Sequence, residues 1–143
     1  MIAMNRLYTA SMVGPVAGAR ATDVPINVLS GTVESEAPIG FGQPVARGAD
    51  PGGLISFAGG SLLGISLIDL SAQPVGYAKH ASVPYMDTGD IWVVASAAVA
   101  AGDPVCVTPT GQFTNVTAGN TTWSRARWDT STTRAGQPAV IRR

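Results

Sequence analysis

Residues 83–113 read VPYMDTGDIWVVASAAVAAGDPVCVTPTGQF, and the other apolar runs of the chain look like partners for this one. Ile91-Trp92-Val93-Val94-Ala95 is β-branched and aromatic and has no polar position before Ser96. Such a run predicts a central strand covered on both faces. Small residues 97–101 lead into the turn Gly102-Asp103-Pro104, and Val105-Cys106-Val107-Thr108 starts a second strand that stops at Pro109-Thr110-Gly111. Strand, bend, Gly-Asp-Pro, strand and Thr-Gly turn together predict a β-sandwich.

Working outward, the same turn chemistry recurs. Gly42-Gln43-Pro44-Val45, Gly102-Asp103-Pro104-Val105 and Gly136-Gln137-Pro138-Ala139 each precede a candidate strand, at spacings of 60 and 34 residues. Glycine accepts unusual backbone angles, and proline fixes φ without offering a donor, so each copy can launch a strand. The unequal spacings favour repeated use of one turn over internal duplication. Further strands are expected at residues 26–34, with a break at Ser30-Gly31, at 54–57, at 62–70 with Leu63, Ile65 and Leu67 facing the core, and at 139–142. The N-terminal stretch MIAMNRLYTASMVGPVAGARAT lacks periodicity. It reads as an arm, residues 1–22, ahead of one β-sandwich domain, residues 23–143. An arm of this composition is ordered mainly when pinned against another surface, which points to an assembly.

Composition narrows the function classes. The chain has 143 residues, enough for one domain that buries a core without staples. Charged residues make up only 13%, against 45% hydrophobic, a small charged surface for a free-standing domain. Residues 1–22 carry Arg6 and Arg20, residues 23–103 carry eight acids against Arg47 and Lys79, and residues 104–143 carry five Arg against Asp129. An acidic middle between basic ends is awkward for a nucleic-acid binder and suits tails that reach complementary neighbours. No stretch approaches the ~18 apolar residues of a membrane span, and Thr9, Ser11, Gly14 and Pro15 interrupt the faint signal-like run of residues 7–19.

Candidate chemistry is sparse. Cys106 is the only cysteine and sits in an apolar strand, so it reads as a buried hydrophobe. His80 is the only histidine and has no Ser, Cys or carboxylate at motif spacing. Asp87 and Asp90, flanking Gly89, read as turn formers. No catalytic residues, metal ligands or cofactor site are expected, and an enzyme is not expected. Trp123-Ser124-Arg125-Ala126-Arg127-Trp128 alternates aromatic and basic residues, the usual composition of interface anchors, although both indoles could equally be core. In an ideal strand Trp123 and Trp128 lie on opposite faces. With Arg6, Tyr8 and Met12 in the arm, the expected contact residues are Arg6, Tyr8, Met12, Trp123, Arg125, Arg127 and Trp128.

The Leu62-Leu63-Gly64-Ile65 strand, a later Tyr77 or Tyr85, Thr88-Gly89-Asp90-Ile91-Trp92-Val93, the Ala-rich residues 97–101, Gly102-Asp103-Pro104-Val105 and Thr110-Gly111-Gln112-Phe113 together resemble the cement, or head decoration, proteins of tailed bacteriophages. The resemblance spans roughly residues 39–113; the arm and the Arg- and Trp-containing tail depart from it. It implies an all-β, jelly-roll-like body, so the expected fold is a jelly-roll-like antiparallel β-sandwich, to which the sequence itself adds an extended N-terminal arm. It also implies a structural virion protein, made in the host cytoplasm, that binds the outer capsid surface and cements adjacent major capsid protein subunits. The partners would be the major capsid protein and the chain itself, a homodimer before a homotrimer, with no nucleic acid and no membrane. The alternative is a β-sandwich binding module on a virion or cell surface, with the tryptophans as stacking platforms for carbohydrate, or a receptor-binding module.

Overall fold

The computed structural model describes residues 15–69 and 76–143. Among the described residues the chain is all-β, with ten strands: β1 (Asn27–Val33), β2 (Pro44–Arg47), β3 (Gly53–Ser56), β4 (Leu62–Ser66), β5 (Ser82–Thr88), β6 (Asp90–Val94), β7 (Pro104–Val107), β8 (Phe113–Thr114), β9 (Thr121–Trp128) and β10 (Pro138–Arg142). The first five close into a small barrel in the order β1-β3-β2-β4-β5, and the last five form a sheet in the order β6-β10-β9-β7-β8. This is not the expected jelly-roll-like antiparallel sandwich. One sheet closes on itself, and β1 runs parallel to β3.

The two halves share one topology. A parallel bridge between Ala95 and Phe113 brings the end of β6 to β8, so the second sheet follows the same circular order as the barrel, with first and third strands parallel and every other pair antiparallel. Backbone hydrogen bonds repeat in detail. Gly42 donates to Ser66 at 2.8 Å and Ser66 to Gln43 at 2.9 Å; Gly102 donates to Trp128 at 2.7 Å and Trp128 to Asp103 at 3.0 Å. His80 donates to Val33 and Val33 to Ala81, as Gly136 donates to Ala95 and Ala95 to Gln137. His80 even shares the left-handed backbone of its counterpart, at φ 72° against 89° for Gly136. For two of the three Gly-x-Pro turns the recurrence coincides with a structural repeat: those at Gly42 and Gly102 launch equivalent strands, β2 and β7. The turn at Gly136 launches β10, the counterpart of β5, where no Gly-x-Pro stands, so this copy is recurrent turn chemistry.

Alternation along the barrel strands assigns each face to its own cluster. Val45, Leu54 and Tyr85 point inward with Val33, Ile39, Tyr77 and Val83. Their neighbours Ala46, Ile55 and Met86 point outward, into a larger cluster built with Ile91, Val93, Val105, Val107, Trp123, Trp128 and Ile141 of the second half. The two halves thus share one core and form one folding unit. Tyr77 closes an end of the barrel: its ring meets Phe41 edge-on at 5.3 Å, and its hydroxyl donates to the Leu67 carbonyl. Burial, reinforced by nearby Asp69, pushes that phenol up to about 12.

Three strand expectations need correction. β6 is the outermost named strand of its sheet, and Val94 is half-exposed, so the run at residues 91–95 is not central. Its open side is instead covered by the chain before Asp23: Gly18 donates to Trp92 at 2.8 Å, Trp92 donates to Ala19 at 2.9 Å, and Arg20 bridges Ile91. Within the expected residues 26–34, Asn27–Val33 form one strand with no break at Ser30-Gly31; the irregularity falls between Asn27 and Val28. Ile65 in β4 and Leu67 just beyond it pack on the shared cluster as expected, but Leu63 packs on the inner barrel cluster instead, because an extra residue against β2 shifts the alternation. Cys106 is fully buried, as expected.

Candidate functional site

Of the expected contact residues, Arg6, Tyr8 and Met12 lie outside the described residues. The other four lie on β9, where the threonines, tryptophans and alternating small residues favour an extended chain. An ideal strand would separate the two indoles, but both are buried, at 4% and 1% exposure for Trp123 and Trp128. A bulge explains this. Pro104 pairs with Arg127 and Cys106 with Thr122, so two steps along β7 span five along β9. Arg125 sits in this excess with φ 64°, a left-handed conformation that a side chain enters at a cost of about 1–2 kcal/mol. The kink resets the alternation, so Trp123, Ala126 and Trp128 all face the core while Ser124, Arg125 and Arg127 face out. The indole of Trp128 donates to the Thr114 carbonyl at 3.3 Å, which satisfies its one polar atom. The tryptophans therefore offer neither a contact surface nor a stacking platform on the folded chain.

The C-terminal arginines are committed as well. Arg143 donates to the Asp87 carboxylate at 2.6 Å and to the Ser124 carbonyl at 3.0 Å, and its guanidinium lies 4.8 Å from the centre of the Trp123 ring. Arg142 reaches Asp90 at 3.0 Å and Asp129 at 3.3 Å. Asp90 is the residue that sequence reasoning missed. Its side chain is 1% exposed, and it accepts the Thr22 hydroxyl at 2.7 Å and the Thr22 amide at 3.3 Å besides Arg142. Burial alone would raise this carboxyl, but the Thr22 hydrogen bonds and Arg142 outweigh it and hold the group below the usual carboxylate range. The signal available in the sequence was an acid placed directly against a β-branched run, with no cation nearer in the chain than Lys79. Two arginines of the basic tail thus pair with two acids of the acidic middle, Asp87 and Asp90.

Arg125 and Arg127 remain. Both are exposed, and among the described residues neither enters an ion pair. Arg127 stands directly across from Arg142 in the β9–β10 register, a like-charge pair whose other member leans away to the two aspartates. The remaining surface offers little chemistry. A groove of about 520 Å³ runs along the seam between the halves past Gln43, Val94, Ser96, Thr110 and Gln112, with no charged side chain and no tryptophan. Among the described residues, no three His, Cys, Asp or Glu side chains gather into a cation cage.

Among curated protein sequences none matches the chain. A solved chain from the capsid of Myoviridae Phage XM1 has the same fold, with a TM-score of 0.72 over 92% of each chain at 18% identity. The family model for the structural cement protein (E217 gp24/Pam3 gp6) matches residues 5–143, nearly the whole length. The chain therefore belongs to the phage structural cement proteins, and its role is structural: it stabilises the capsid.

Proposed function

We propose that the protein sits on the outer surface of a phage head and braces adjacent major capsid protein subunits, with Arg125 and Arg127 among its contacts. The observation that carries this reading is Arg125, an exposed cation held at φ 64° on a bulge larger than its counterpart in β4. A strained residue that neither packs nor pairs within its own chain is a candidate for an external partner. Charge points to acidic groups on that partner, and a rigid body making several modest contacts gains strength through effective concentration. The reading of a separate carbohydrate-binding module loses its platform residues, because both indoles are buried.

Co-sedimentation with heads that lack the protein tests this. The wild-type chain is expected to bind, and an Arg125→Glu/Arg127→Glu double variant to bind about tenfold or more weakly. Its unfolding midpoint should stay close to wild type. Undiminished binding by the double variant would remove these residues from the contact, and a wild-type chain that binds no such head would sink the placement itself.

A further inference from the structure

We propose that residues 5–13 of a second copy of this chain add as a strand to the free edge of β1, at Val28 and Ser30. Along its whole length β1 has β5 on one side, but on the other it meets β3 only at Thr32 and Val33. Val33 sends its amide to Ala81 on the β5 side, and Thr32 sends its own to Gly52 on the β3 side. By alternation Ser30 and Val28 point their backbone groups outward on the β3 side, where no described strand pairs with them. Residues 27–30 are all exposed, and Val28 and Leu29, on opposite faces, are 46% and 44% bare. Edge strands are ordinarily guarded by charge or proline, and Asn27-Val28-Leu29-Ser30-Gly31 has neither.

The second half shows what covers this edge. Trp92 occupies in β6 the place of Ser30 in β1, and its outward amide and carbonyl are satisfied by Ala19 and Gly18. The N-terminal chain therefore already completes one of two equivalent edges. Residues 1–14 continue directly from it. Asn5-Arg6-Leu7-Tyr8-Thr9-Ala10-Ser11-Met12-Val13 contains no Gly or Pro, so every backbone amide can donate, and when extended it places Arg6, Tyr8 and Met12 on one side. Arg6 is the only charged side chain in residues 1–14, whereas residues 27–88 carry five acids against Arg47 and Lys79, so the charges are complementary. The donor is a second copy because of direction. Arg20 pairs antiparallel with Ile91, so the chain before Gly18 heads for the Ala95 end of β6, whereas β1 begins beside Thr88 at the other end. A neighbouring copy supplies the strand without that reversal.

The test compares the full chain with one beginning at Pro15, which keeps the pairing of residues 18–20, and adds a synthetic peptide of residues 1–14. The full chain should be oligomeric at micromolar concentration, with the Val28 and Ser30 amides exchanging about tenfold or more slowly than in the shortened, monomeric chain. The peptide should restore that protection. Ser30→Pro deletes the outward amide and should abolish peptide binding, and Val28→Lys on the exposed face is a second variant should the first fold poorly. A monomeric full chain, an oligomer that survives the shortening, or a peptide that protects other amides only would overturn the proposal. Protection of Val28 and Ser30 in a monomer would assign the strand to the chain's own arm and overturn it equally.

Discussion

The two halves follow one strand order and close differently. In the first, β3 is four residues long and two of its residues pair with β1, so the barrel seals around its own inner cluster. In the second, β8 has two residues and closure falls to the single Ala95–Phe113 bridge. The fourth strands differ in the opposite sense. β4 gains one residue over β2 across the shared bulge, whereas β9 gains three over β7. A shortened third strand opens the sheet, and the excess of the fourth turns Arg125 outward as an exposed cation. The first half is thereby the sealed, acidic member, and the second carries the free arginines.

The largest test of that contrast is Trp128→Ala. This indole belongs to the core that both halves share, so its loss should lower stability by about 3–5 kcal/mol. Denaturant unfolding should remain a single transition seen alike by probes in either half. Two separated transitions would break the claim of one folding unit.

The second test concerns the loops that launch the third strands. In the first half, Glu34 accepts the Ala49 and Asp50 amides at 2.9 and 3.0 Å, and a Cβ on Gly53 would come within 1.4 Å of its carboxylate. Gly53→Ala should therefore expel the carboxylate and cost about 2 kcal/mol. In the corresponding loop of the second half the side chain that accepts a backbone amide is a hydroxyl in place of a carboxylate, Thr108 accepting from Gln112 at 3.0 Å, so Thr108→Ala should cost about 1 kcal/mol. Equal losses in thermal unfolding would erase the distinction.

Asp90 supplies a pH test. Its carboxyl lies below its ordinary value in the folded chain, so its contribution is complete above the unfolded value of about 4 and fades as pH falls through the folded one. Asp90→Asn should cost about 2 kcal/mol at neutral pH and flatten the acid limb of the stability profile. A variant whose acid limb superimposes on wild type would exclude Asp90 as its source. The smallest effect has the opposite sign. Arg125→Gly should stabilise the chain by about 1 kcal/mol, since glycine accepts the left-handed backbone freely, while capsid binding falls.

Much of the fold was legible because it lay in local pattern. The β-branched run at residues 91–95, the Gly-x-Pro turns and the apolar stretches at 54–57 and 139–142 all mark strands found in the structure. The topology was not, since the closure of β1 on β5 depends on pairings some 55 residues apart. β5 escaped notice because Pro84 interrupts it and its ends are polar. The surface was only half legible. Arg125 and Arg127 stand out in the sequence, but the bulge that turns both indoles inward carries no signature, as it rests on an arginine where glycine or asparagine would be usual.

Asp90 also joins two distant points of the chain mechanically. Thr22, at the root of the N-terminal stretch, and Arg142, next to the last residue, hold the same buried carboxylate. Tension applied through the arm therefore passes across this knot into the last strand and is resisted along β6 and β10 in shear, where several hydrogen bonds must fail together. A tether rooted this way resists pulling better than one that peels off bond by bond, a useful property for a molecule that stabilises a capsid.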